Sequence, residues 1–166
     1  DLVKDGVDVA LRVRLTLEDS GSLIVKRLDD AHSVLVASPE LLARQGTPTT
    51  LEEASRLDSV AMSAVDGTAS IRLTSPQGRE AVLTYRPRYV ADDLLTLQRA
   101  VLAGSGMCWL PDYMCEDELN DGRLVRLLPD WTTPVGVVHA VFASRRGLSP
   151  AVRSFLDFLG EYVPVC

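Results

Sequence analysis

The sequence is poor in the features that usually announce a metal site, a secreted scaffold, a membrane span or an active site. Its 166 residues contain three cysteines, Cys108, Cys115 and Cys166, with no Cys-x-x-Cys spacing. A secreted disulfide scaffold needs more of them, and in pairs, so these read as reduced thiols of a cytosolic protein. His32 and His139 are the only histidines. No Cys/His/carboxylate cluster has the short spacings of a zinc site, so neither metal nor cofactor is expected. No apolar run approaches the roughly 18 residues of a membrane span, and no charged leader followed by an apolar core opens the chain. Positive charge is scarce: Lys+Arg is 17 against 23 Asp+Glu, a net charge of −6. Phosphate binding needs clustered cations, so this stretch is not expected to touch DNA or an anionic membrane itself.

Catalytic motifs are missing too. There is no phosphate loop and no Gly-x-Gly-x-x-Gly. Gly104-Ser105-Gly106 differs in spacing from the Gly-x-Ser-x-Gly elbow and links a helix to a strand rather than a strand to a helix. Asp29-Asp30, Asp92-Asp93 and Glu116-Asp117-Glu118 read as a turn, a helix cap and a solvated helix face. An enzyme is not expected.

What is present is globular: 46% hydrophobic and 24% charged residues, in a length that suits one domain or two small lobes. Residues 7–13, 22–28 and 32–37 pattern as strands, the last almost wholly apolar as in a strand covered on both faces. Ser38-Pro39 then starts a helix, with Ser as N-cap and Pro in the first turn. Thr50-x-x-Glu53 is a capping box for a short helix. A strand is expected at 59–64, a turn at Asp66-Gly67, and a hairpin of 69–74 with 80–85 around Ser75-Pro76-Gln77-Gly78. Residues 88–91 form a brief strand before a helix capped by Asp92. Residues 107–110 and 124–128 read as strands flanking a helix over 112–119. Residues 135–143 are a long apolar strand, and Ser149-Pro150 starts the last helix. Strands alternating with helices imply an α/β fold with at least one mostly parallel sheet.

Two long apolar strands, 32–37 and 135–143, bracket the middle of the chain. They are expected to be crossovers between a first lobe, residues 1–37 with 135–166, and a second lobe, residues 38–134. A cleft between such lobes is a natural place for a small ligand. Asp1 to Gly6 reads as the end of a helix that began earlier, so the chain is expected to be part of something longer.

The ordered series Asp1-Leu2-Val3…Gly6-x-Asp8-Val9-Ala10-Leu11-Arg12, Leu23 to Leu28, Val34-Leu35-Val36-Ala37-Ser38-Pro39, Gly46-x-Pro48, Ala100-Val101-Leu102-Ala103-Gly104-x-Gly106-Met107-x-x-Leu110-Pro111 and Gly122-x-Leu124-Val125 resembles the effector-binding domain of LysR-type transcriptional regulators. Val141-Phe142-Ala143-Ser144 and Leu148 to Leu159 continue that resemblance almost to the end of the chain. It implies a two-lobed type II periplasmic-binding-protein-like fold, a small-molecule inducer in the cleft, and a homodimer or tetramer. It further implies DNA binding through a separate N-terminal winged helix-turn-helix, which together with the opening part of the effector domain would precede this stretch. An extracytoplasmic solute-binding protein of a transporter is the alternative on the same fold.

Ligands of α/β lobes sit beyond the carboxyl ends of strands, near helix N-termini. With the resemblance, that rule selects Ser38 after the crossover strand, Ser63 and Ala64 after the strand at 59–64, Val90, Ala91 and Asp92 before the next helix, Leu110 and Pro111, and Phe142 on the return crossover. Each also has a plainer role as cap, loop or core residue. Trp109 and Trp131 read as packing residues, and His32 and His139 as ordinary strand histidines unless the crossovers bring them together. The apolar and neutral candidates suit a modest organic acid or an aromatic compound.

Overall fold

A computed structural model describes residues 6–15, 23–142 and 149–162. The expected helix end at Asp1–Asp5 and Cys166 lie outside the described residues. The chain divides into two compact units: residues up to Ala31 together with those from Val135 on, and His32–Pro134.

The first unit has a three-stranded sheet in the order β1-β10-β2, with β1 Val9–Arg14, β2 Ile24–Ala31 and β10 Gly136–Phe142. Both pairings are antiparallel, and the register sets Val9 and Ile24 on either side of Phe142. The sheet packs against α5, Pro150–Tyr162, through a core of Leu28, Ala140, Phe142, Leu156 and Leu159. Phe155 of this helix is exposed. Lys26 donates from Nζ to the Leu156 carbonyl at 2.6 Å, tying β2 to the helix backbone.

The second unit carries β3 Ser33–Ala37, α1 Pro39–Gln45, α2 Leu51–Ser55, β4 Val60–Ala61, β5 Ala69–Thr74, β6 Glu80–Tyr85, β7 Tyr89–Val90, α3 Leu94–Leu102, β8 Cys108–Pro111, α4 Glu116–Asn120 and β9 Val125–Arg126. A turn of 3-10 helix, Asp112–Met114, joins β8 to α4. Strand β3 pairs antiparallel with both β8 and β9, β4 pairs in parallel with β7, and a parallel bridge joins Ser59 to Met107. Side chains alternate along the strands. Leu35, Ala37, Met107 and Trp109 face a core shared with α1, α2 and the β5–β6 hairpin, while Val34, Val36, Cys108 and Leu110 face a second core under α3 and α4.

Two expectations change here. Strand β3 hydrogen-bonds to β8 and β9, so residues 32–37 belong with the second unit, and the division falls between Ala31 and His32. The sheets are also less parallel than the alternation of strands and helices suggested. The first unit's sheet is wholly antiparallel.

Candidate functional site

The parallel strands of the second unit end together. Val60 lies beside Tyr89 and Ala61 beside Val90. The Ala91 N–H donates to the Ala61 carbonyl at 3.1 Å and the Arg88 N–H to the Ser59 carbonyl at 2.9 Å. On the other side of β4, the Val60 N–H donates to the Met107 carbonyl at 2.9 Å and the Met107 N–H to the Asp58 carbonyl at 2.8 Å. The chain segments leaving β4, β7 and β8 therefore emerge at one end of the sheet, where binding sites of α/β units form.

Ser63, Ala64, Val90, Ala91, Asp92 and Pro111 all stand on these segments. Ser63, Val90 and Asp92 are exposed; Ala64, Ala91 and Pro111 are half-buried. Ser63 and Ala64 line an open cavity of about 420 Å³ together with Ile71 and Tyr85 of the hairpin and Trp109, whereas Val90, Ala91, Asp92 and Pro111 are not among its lining residues. A tight turn contributes Val65 and Thr68 to its lining. Val65 and Thr68 exchange backbone hydrogen bonds of 2.9 Å in both directions, and Asp66 and Gly67 between them both take positive φ, 49° and 72°, as an Asp-Gly turn of type I′ requires.

The other candidates lie elsewhere. Ser38 follows the carboxyl end of β3, which runs against β8: Ser33 opposes Pro111 and Val36 opposes Cys108. Ser38 is thus at the opposite end of the sheet from Pro111. Its buried Oγ accepts from the Leu41 N–H at 3.2 Å, which is the work of an N-cap. Leu110 is fully buried in the core under α3, and Phe142 in that of the first unit. Asp92 is not the cap of α3. Asp93 is, accepting from the Thr96 N–H at 2.7 Å. His139 faces Arg12 and Arg27 across its ladder, and its Nδ1 lies 2.9 Å from the Val137 carbonyl.

Sequence reasoning passed over Trp109. The indole forms part of the cavity wall, and its Nε1 is buried without a hydrogen-bond partner among the described residues. The alternation Met107-Cys108-Trp109-Leu110 was a usable signal, since it sets Trp109 on the face that the hairpin covers. Nearby groups are held neutral. Burial, and secondarily the repulsion that an ionised Cys108 would exert, pushes the Tyr85 phenol up to about 12. Burial and the neighbouring Cys115 push the Cys108 thiol up to about 12. A second cavity of about 580 Å³ lies at the start of β3, lined by His32, Asp112, Glu116 and Arg126 among others. No group of three or more potential metal ligands gathers among the described residues, and no described helix is long and apolar enough to cross a membrane.

Comparison with known proteins fits this architecture. The family model described as LysR substrate binding domain matches residues 1–164. The chain belongs to the LysR substrate-binding domain family. Its fold is accordingly the two-lobed, periplasmic-binding-protein-like α/β fold of that family. Similar proteins include the HTH-type transcriptional regulator PtxR of Pseudomonas aeruginosa, 34% identical over 98% of this chain and 51% of that protein. CrgA of Neisseria meningitidis is 30% identical over 97% of this chain and 53% of its own length. The chain spans about half the length of these relatives. Among solved structures, full-length AphB of Vibrio cholerae superposes with a TM-score of 0.84 at 29% identity, covering 99% of this chain and 55% of AphB. The CrgA regulatory domain gives 0.80 at 28% identity, covering 98% and 78%.

Proposed function

We propose that this chain is the effector-sensing part of a LysR-type transcriptional regulator and binds a small organic molecule where β4, β7 and β8 end, with Ser63, Ala64, Val90, Ala91 and Asp92 around it. The single observation that carries this reading is the convergence of the segments leaving β4, β7 and β8 at one end of the sheet, beside a cavity lined by Ser63 and Ala64, where the fold class binds its ligands. DNA contact falls to a separate winged helix-turn-helix domain, consistent with the acidic surface of this stretch. The regulator works as a homodimer or tetramer in the cytoplasm. The effector acts through unequal affinity for two arrangements of the regulator, since equal affinity shifts no equilibrium. The relatives' names as transcriptional regulators favour this role over a transporter's solute-binding protein and over an enzyme.

The test is made on the full-length protein. A thermal-shift screen of small metabolites should find compounds that raise the melting temperature, because a ligand specific for the folded state stabilises it. The same compounds should change the affinity for a promoter fragment upstream of the protein's own coding region. Compounds that stabilise the protein without altering DNA binding would remove the sensing role.

A further inference from the structure

The cavity at the start of β3, about 580 Å³, gathers opposite charges and shares no lining residue with the one beside Trp109. Arg126 reaches its lining from β9, Asp112 from the turn after β8 and Glu116 from α4. These charges are not matched internally. Among the described residues neither Arg126 nor Glu116 forms an ion pair, and the Arg126 guanidinium donates to the Pro129 carbonyl at 3.4 Å. The backbone adds a donor and an acceptor. The Asp112 N–H donates to the His32 carbonyl at 3.1 Å, so even-numbered residues here bond toward β8, while Leu35, accepting from the Leu127 N–H at 2.8 Å, bonds toward β9. Ser33 points the same way as Leu35. The β9 register sets it against position 129, a proline with no N–H to give, and Leu128, at a left-handed φ of 45°, turns the chain out of the ladder. The Ser33 N–H and carbonyl therefore open onto the cavity that Ser33 lines.

A lone anion here is drawn to Arg126 and repelled by Asp112 and Glu116, and a lone cation meets the reverse. A molecule with both charges gains both attractions. An α-amino acid carries its carboxylate and ammonium on the same carbon, close enough together to meet the N–H and carbonyl that one residue presents side by side on a strand edge. We propose that this cavity binds a small zwitterion of the α-amino acid class, its carboxylate held by Arg126 and the Ser33 N–H and its ammonium by Asp112, Glu116 and the Ser33 carbonyl. Arginine suits the carboxylate because its planar fork matches two oxygens. None of these residues belongs to the effector site proposed above.

The test is calorimetric titration of the full-length regulator at neutral pH with the common L-amino acids, one at a time. At least one should bind saturably. Its methyl ester, which lacks the negative charge, and its N-acetyl derivative, which lacks the positive one, should each bind about fivefold more weakly, the upper range for one ion pair at a water-exposed position. The variants assign the charges. Arg126→Gln should close the gap between the amino acid and its methyl ester and leave the gap to the N-acetyl derivative. Asp112→Asn combined with Glu116→Gln should do the opposite. All three side chains are exposed, so the variants should fold with the urea midpoint of the parent. Saturable binding by no amino acid, derivatives that bind as tightly as the amino acid itself, or gaps that survive both variants would each overturn the proposal. Promoter binding plays no part in these outcomes, so the sensing role stands or falls separately.

Discussion

Gly106 shows how tightly single residues set this site. A Cβ there would lie 2.7 Å from both the Cα and the backbone nitrogen of Ser59, so β8 and β4 approach as closely as they do because nothing stands between them. Gly106→Ala is expected to cost about 1–3 kcal/mol, the range for forcing atoms into a packed interior, measured as a lower urea midpoint at unchanged slope. Buried acids make a second prediction at this scale. Cys108 and Tyr85 titrate in the folded state near 12, above their ordinary values of 9.0 and 10.0, and Cys115 near 11. Above the ordinary values the unfolded chain releases protons that the folded chain keeps, so stability is full below about pH 9 and falls as pH rises toward 12. Urea midpoints between pH 7 and 10.5 should drop at the alkaline end, and Tyr85→Phe should flatten the fall. The same burial should keep Cys108 and Cys115 unreactive toward a thiol reagent until the protein is unfolded. None of this was readable from composition: the sequence marked the cysteines as reduced, but which groups a fold hides depends on neighbours distant in the chain.

At the level of the element, local chemistry was legible where short-range bonds decide it. Ser38 and Thr50 cap their helices through the Leu41 and Glu53 N–H groups, and the hairpin of β5 and β6 has the bounds its alternation gave. Expectation slipped where two adjacent residues compete. Asp92 and Asp93 are equally good caps by type, and only the backbone placement, with Asp93 extended before the first helical turn, selects the second. Bonds from the Thr96 hydroxyl and then the Thr96 N–H hold the Asp93 carboxyl below its usual range. Its stabilisation is therefore present above the ordinary carboxylate value and lost as pH falls below that value through the lowered one. Asp93→Ala is expected to lower the urea midpoint at pH 7 and to lose most of that deficit in acid, while Asp92→Ala leaves the midpoint unchanged. The strand expected at 59–64 shrinks to Val60–Ala61. After Ala61 the chain turns away to form the cavity wall, so the residues that most resemble a continuing strand are those that left the sheet to make the site.

For the whole molecule, the two-unit organisation was legible but its boundary was not. The apolar run at 32–37 marks a strand covered on both faces without saying which sheet covers it. Register decides that, and β3 is taken by β8 and β9. Phe142 and Leu110 were chosen as site residues for standing at strand ends near the expected cleft, yet both are core residues, because the strands they end are covered by helices. The separate cores lead to a further expectation. Both tryptophans, Trp109 and Trp131, belong to the second unit and pack against the core under the hairpin, so indole fluorescence of the chain 1–166 reports that unit, whereas far-UV circular dichroism reports both. Phe142→Ala removes a ring buried among Leu28, Ala140, Leu156 and Leu159, a loss of about 3–5 kcal/mol for a core phenylalanine. In urea, the variant should show a dichroism change that begins before the fluorescence change, with the fluorescence midpoint close to that of the parent chain. Coincident midpoints, shifted together, would mean that the two cores melt as one cooperative body and that damage to the first unit reaches the cavity of the second.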